Sequence, residues 1–225
     1  MKKTAIFLVM KITFISDKGS WKNNAILDLV QKLRKKRHEV SFVHDERAIT
    51  RGDMLFILGY FKILPPSVLK KNKTSVVVHE SALPKGRGWS PVTWAILKGF
   101  KTIPLTLFEA IDKVDAGRIF LRDNVKIRAD ELLAEIQPKV AAKMLQMCGR
   151  FVLAYPAILK RGVSQSGKPT YYPKRHPVDS RLNPNQPIAR QFNLLRSVDN
   201  KDYPAYFKLR GNTYVLRIEK RKTSF

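Results

Sequence analysis

Residues 76–91 read Val76-Val77-Val78-His79-Glu80-Ser81-Ala82-Leu83-Pro84-Lys85-Gly86-Arg87-Gly88-Trp89-Ser90-Pro91. A short apolar run stops at a histidine, and a Pro/Gly-rich segment follows. Such a run reads as a buried strand ending in a loop that carries function. His79 therefore falls at the carboxyl end of a strand, the edge where open α/β sheets bind ligands. A second signal, Val114-Asp115-Ala116-Gly117, begins its aspartate 36 positions on (115 minus 79). An imidazole and a carboxylate in such loops suit general acid/base work. A lone histidine with no such loop would read as a satisfied core residue.

Working outward, strands are expected at Lys11 to Ser16, Val40 to Val43, Asp53 to Leu58, Ile103 to Leu107 and Arg118 to Leu121. Helices are expected from Asn23 or Asn24 through Arg37, with Ile26, Leu27, Leu29, Val30 and Leu33 apolar, and from Pro91 to Leu97, closed by Gly99. A third runs from Ala129 to Met147 and is expected to kink or break near Pro138. Strands alternating with helices give an α/β fold, a Rossmann-like, mostly parallel sheet. After Tyr155 prolines and aromatics take over. A short helix is expected at Pro187 to Ser197. Strands Tyr206 to Leu209 and Tyr214 to Ile218 are expected to turn at Gly211-Asn212. A boundary near 150 gives a core, 1–150, and a small C-terminal α+β subdomain, 151–225.

The chain has 225 residues, 43 of them basic and 18 acidic, for a net charge of +25. That charge suits either a polyanionic partner or lysines scattered over solvated faces. The clusters Lys32 to Arg37, Lys70 to Lys73 and Lys220 to Lys222 are short and not interleaved with aromatics, which favours scatter. The single cysteine, Cys148, excludes a disulfide framework and reads as a buried thiol in a reducing cytoplasm. No apolar run reaches membrane-spanning length. The start, Met1 to Val9, lacks a cleavage site and reads as an extension, so secretion is not expected. No His/Cys/carboxylate spacing suggests a metal. His38 reads as part of a solvated helix end.

The motifs together resemble the N10-formyltetrahydrofolate-dependent formyltransferase family. Gly59-Tyr60-Phe61-Lys62-Ile63-Leu64-Pro65 is similar to its folate-side strand and turn. His79-Glu80-Ser81-Ala82-Leu83-Pro84 with Arg87-Gly88 and Pro91 resembles its His-x-Ser-Leu-Leu-Pro…Arg-Gly…Pro signature. Val114-Asp115-Ala116-Gly117 resembles its Asp-x-Gly loop, at matching spacing. Three motifs in order are a strong signal where one would be weak. The tail, Lys174 to Ser180, Phe192 to Arg196 and Asp202-Tyr203-Pro204, resembles that of sugar-nucleotide N-formyltransferases, and no full RNA-contacting domain is expected after 150.

The resemblance implies His79 and Asp115 as the catalytic pair. It implies N10-formyltetrahydrofolate as cofactor, held at Phe61, Ile63, Leu64, Pro65, Glu109, Ala110 and Val114. The substrate it implies is a UDP- or dTDP-linked amino sugar for surface glycans, O-antigen or pseudaminic-acid-type by analogy. Its contacts would be Trp21, Ser81, Lys85, Arg87, Gly88, Trp89, Arg175, Asp179, Asn193 and Arg196. No specific nucleic acid partner is expected, and a homodimer is compatible. Residue by residue, Lys85 and Arg87 suit either a pyrophosphate or solvent. Trp89 suits either a ligand ring or the sheet edge. Tyr171 and Tyr172 suit either a base or the core. One departure stands out: the family has asparagine two residues before its histidine, and here that position is Val77. Either another donor serves, with His79, Ser81, a backbone N–H or water as candidates, or the chain is a weak or inactive homologue; replacement is expected, because His79 and Asp115 both remain. The alternatives are formylation of another amine such as methionyl-tRNA, or a catalytically silent folate or nucleotide-sugar binding homologue.

Overall fold

The computed structural model describes residues 8–221. The expected extension at the start therefore lies mostly outside the described residues. Six strands form one sheet: β1 (Lys11–Ile15), β2 (Glu39–Val43), β3 (Gly52–Ile57), β4 (Asn72–His79), β6 (Thr102–Glu109) and β7 (Ile119–Lys126), in the order β2-β1-β3-β4-β6-β7. The pairs β1–β2, β1–β3 and β3–β4 are parallel. Helices α1 (Asn23–Lys35), α2 (Pro66–Leu69), α3 (Pro91–Leu97) and α4 (Leu133–Ala154) connect or follow these strands. The sheet is the Rossmann-like, mostly parallel one the alternating pattern predicts.

The chain divides into two compact units interleaved along the sequence. One comprises residues up to Val78, Leu107–Leu121 and Met144–Gln165. Its core is apolar because β1 and β3 are buried along most of their length and read as continuous hydrophobic runs. Phe14 stacks on Phe56 at 4.8 Å, and Phe151 meets the Phe56 edge at 6.1 Å. Helix α1 buries Ile26, Leu29, Val30 and Leu33, its 3.6-residue stripe. Leu27, expected among its apolar positions, is instead exposed. Cys148 is fully buried, and burial pushes its thiol up, so it stays protonated and inert. His38 departs from expectation: it is buried, and its Nδ1 accepts the Met10 N–H at 3.2 Å. Burial, aided by the Lys36 charge, lowers its pKa below 6.5.

The other unit comprises His79–Thr106, Arg122–Lys143 and the residues from Ser166 on. It adds β5 (Arg87–Gly88), β8 (Tyr171–Tyr172), α5 (Ile188–Leu195), β9 (Ala205–Leu209) and β10 (Asn212–Leu216). Helix α3 ends as expected at Gly99, φ +69°. The Gly99 N–H reaches the Ile96 carbonyl and the Phe100 N–H the Ala95 carbonyl, the paired bonds of a Schellman cap. Helix α4 runs through Pro138 without interruption and on to Ala154. Pro138 is its sixth residue, so one missing N–H near the first turn does not end a helix whose later face is buried. The terminal hairpin turns at Arg210-Gly211, both with positive φ, one residue before the expected pair. Its base packs Leu182, Leu195, Val198 and Ala205 into a small cluster.

Candidate active site

In the first unit, two loops leave the carboxyl ends of β3 and β6. Gly59, at φ +69°, opens the first; a Cβ there would lie 2.7 Å from Ser20 Oγ, so the turn requires glycine. Asp17 holds this loop by accepting the Phe61 N–H at 2.7 Å. Leu64 is buried in a cluster with Ile15, Ile49, Leu55 and Ile57, and Tyr60, Val77 and Ala110 pack on it. Phe61 and Ile63 are left exposed at 66% and 68%, and Pro65 immediately precedes α2. On the second loop Ile111 and Val114 are exposed as well. Exposed apolar side chains on two loops rooted in one cluster suit a flat, largely apolar ring.

The Asp115 loop is built by two devices. Asp115 adopts φ +50°, a left-handed conformation that aspartate tolerates better than most residues. Gln165 Nε2 donates to both the Asp115 and Gly117 carbonyls at 2.9 Å. Gly117 lies so close to Glu109 that any Cβ would overlap the Glu109 carbonyl oxygen. Across the same turn the Glu109 carboxylate pairs with Arg118 at 2.9 Å, and the Glu109 N–H donates to the Arg118 carbonyl. Sequence reading found Asp115 and Gly117 but missed Gln165, whose role depends on a contact 48 to 50 residues away.

In the second unit His79, the last residue of β4, is buried at 7% exposure. Its Nε2 lies 2.8 Å from the Gly86 carbonyl. A carbonyl can only accept, so Nε2 carries the hydrogen and Nδ1 is the nitrogen that can take a proton. The Ser81 carbonyl accepts from Thr106 Oγ1 at 2.7 Å, and the Leu83 carbonyl from Arg122 at 3.0 Å, which fixes the segment after His79. Ser81 Oγ is buried and has no hydrogen-bond partner among the described residues. Lys85 is exposed, whereas Arg87 is buried.

The glycines of this loop make room for protein. β5 pairs with β8, aligning Arg87 with Tyr171 and Gly88 with Tyr172. A Cβ on Gly86 would lie 2.6 Å from Tyr172 Cε2, and one on Gly88 2.6 Å from the Tyr172 carbonyl oxygen. Thr170 Oγ1 accepts the Gly86 N–H at 2.9 Å. Among the expected tail contacts, Asp179 accepts the His176 N–H at 2.7 Å and caps a 3₁₀ turn at Pro177–Ser180. Arg196 is buried at 2% exposure, donating to the Arg128 and Glu131 carbonyls and to Asn193 Oδ1. Its guanidinium and the half-buried Asn193 therefore tie the segment ahead of α4 to α5. Trp21, in the first unit, is exposed at 38% with Lys22 over its ring.

A family model for formyl transferases matches residues 22–150, more than half the chain, and the chain belongs to that family. It is 30% identical over 180 residues to the bifunctional polymyxin resistance protein ArnA of Wigglesworthia glossinidia brevipalpis, covering 78% of this chain and 27% of that one. The chain also spans only about half, 52%, of the methionyl-tRNA formyltransferase of Lactobacillus acidophilus, at 28% identity. Among solved structures, methionyl-tRNA formyltransferase from Clostridium thermocellum superposes with a TM-score of 0.74 at 19% identity, covering 91% of this chain and 96% of that one. A 4-N formyltransferase from Francisella tularensis gives 0.69 at 16% identity, covering 95% and 99%. At those identities the likeness is one of fold. No helix among the described residues is long and apolar enough to cross a membrane.

Proposed function

We propose that this protein transfers a formyl group from N10-formyltetrahydrofolate to the amine of a nucleotide-linked amino sugar. The observation that carries the transfer is the family match over residues 22–150, joined to a strand-end His79 and a glycine-backed Asp115 loop. Residues 1–150 serve as the formyltransferase core, and 151–225 as a smaller C-terminal part. The bound donor supplies an electrophilic formyl carbon and an amine leaving group. Phe61, Ile63, Val114 and the backbone of Leu64, Pro65, Glu109 and Ala110 hold it.

Attack by the sugar amine forms a C–N bond, and the attacking nitrogen must shed a proton while the leaving nitrogen gains one. His79 Nδ1 is the group that takes and returns that proton, because Nε2 is committed to Gly86. Asp115, on the turn held by Gln165 and Gly117, is the second residue assigned to catalysis. Val77 cannot stabilise the formyl oxygen as it gains negative charge. Ser81 Oγ, buried with no partner among the described residues, takes that task.

The sugar-nucleotide reading rests on the tail Lys174 to Ser180 and its likeness to the sugar enzymes. Methionyl-tRNA is the second reading, favoured by 28% identity to proteins of that name. A panel of UDP- and dTDP-amino sugars incubated with the formyl donor, with products read by mass, tests the proposal. One formylated sugar nucleotide is the expected product. No formylated product from any of them, with methionyl-tRNA formylated in parallel, would replace the reading with the second.

A further inference from the structure

Within the first unit, helices α1 and α4 leave a groove of about 330 Å³ between them. Its floor is apolar: Leu29, Leu33 and Val152 are buried there, and Leu153 lines it at 62% exposure. Gly149 lines it too, seventeenth of the 22 residues of α4. A Cβ on Gly149 would meet nothing within 4 Å. Glycine weakens a helix interior relative to alanine, and here no neighbour needs the space it leaves. The notch opens into the groove. His38 immediately precedes β2, so the groove lies at the amino edge of the parallel strands, opposite the edge where the Gly59 loop leaves β3.

The same groove gathers donors of one sign. Lys32, Lys35 and Lys36 line it, all three are exposed, and no carboxylate lines it with them. Lysine stems lie along apolar surface while their ammonium groups stay in water. His38 also lines the groove, at 8% exposure. Its Nδ1 accepts the Met10 N–H at 3.2 Å, so in the neutral ring Nε2 carries the hydrogen. That N–H has no acceptor among the described residues, and leaving a buried donor unmade is unfavourable. Apolar floor, vacant notch, unanswered N–H and three lysines all call for one kind of ligand: an apolar chain ending in an anion.

We propose that the α1–α4 groove binds a fatty-acid anion, with its alkyl chain over Leu29, Leu33, Val152 and Gly149 and its carboxylate received by His38 Nε2 and the lysines. The volume is at the small end of the range for ligand sites, roughly 300–1,000 Å³, and suits one alkyl chain rather than the paired tails of a phospholipid. A carboxylate accepts from a ring N–H and from ammonium groups together. A cationic head would meet like charge. The inference does not depend on which amine receives the formyl group.

The test is calorimetric titration of the full chain with dodecanoate, below its micelle concentration and at physiological salt. Saturable binding of one dodecanoate per chain is expected, at least about tenfold tighter than that of dodecyltrimethylammonium. Gly149→Leu fills the notch and should bind dodecanoate about tenfold or more weakly. Its melting temperature should equal or exceed that of wild type, because leucine favours a helix where glycine does not. Lys32→Glu/Lys35→Glu reverses charge at the groove and should also lose about tenfold or more. Lys201→Glu/Lys208→Glu, in the other unit, makes the same change of net charge and should bind as wild type. Equal affinity in the two charge-reversed variants, or equal binding of the cationic amphiphile, overturns the proposal. So does undiminished binding by folded Gly149→Leu. Binding to phosphatidylglycerol vesicles with no saturable binding of dodecanoate would assign the lysines to a bilayer surface and overturn it as well.

Discussion

The loop at Asp115 and the loop at Arg87 both pass through glycines, yet they are secured by different means. The first is clamped from the side: Gln165 ties two of its carbonyls, and Gly117 sits against the Glu109 backbone. The second is paired strand to strand with Tyr171–Tyr172, and both its glycines leave room for Tyr172. The clamp fixes the backbone of one short turn. The pairing recruits a whole segment, with Lys174 over the Trp89 ring and Arg175 over the Trp94 ring. A side-chain clamp thus secures a single turn, and a strand pairing positions a longer segment.

That contrast is broken most directly at the proposed reacting groups. His79→Ala and Asp115→Asn are each expected to lower kcat by about 10²–10⁴-fold with the fold intact by circular dichroism. A folded mutant with near wild-type turnover would remove its residue from the mechanism. Gly117→Ala comes next. Its Cβ would collide with a backbone oxygen that cannot swing aside, so unfolding titration should show a loss of about 3 kcal/mol or more. Gly88→Ala meets a backbone oxygen too, but on a pairing only two residues long, and should lose less stability than Gly117→Ala. Equal losses would erase the distinction between clamp and pairing.

Much of this was legible in the sequence. Continuous apolar runs gave the strands, Gly99 gave the end of α3, and His79, Asp115 and Gly117 announced themselves by residue type and spacing. What was not legible depends on partners far along the chain. Gln165 is an unremarked polar residue until the fold sets it against carbonyls 48 residues away. Arg196 and His38 looked like solvent-facing or ligand-facing charges. The fold buries Arg196 against three oxygens and His38 against the Met10 N–H. Pro138 promised a break in α4 that buried packing overrode.

Smaller effects sharpen the account. Gln165→Ala removes two donors and should cost about 1–2 kcal/mol, with kcat falling more than KM changes. Val77→Asn places an amide where an apolar cluster packs, so stability should fall by about 1–3 kcal/mol without a rise in rate. A large rate gain would show that the site lacks the donor assigned to Ser81. The smallest effect is His38. Its folded pKa lies below 6.5, so the stability it contributes is present above pH 6.5 and is lost as pH falls through the folded value. Stability measured by denaturant at stepped pH should decline below 6.5, and His38→Gln should flatten that decline.

The central claim is the acceptor of the formyl group. A single reaction containing labelled formyl donor, UDP- and dTDP-amino sugars and methionyl-tRNA at physiological salt lets the acceptors compete. The account predicts that the label moves to a sugar nucleotide. Label on the methionyl-tRNA, or donor left unconsumed with every acceptor present, would contradict it.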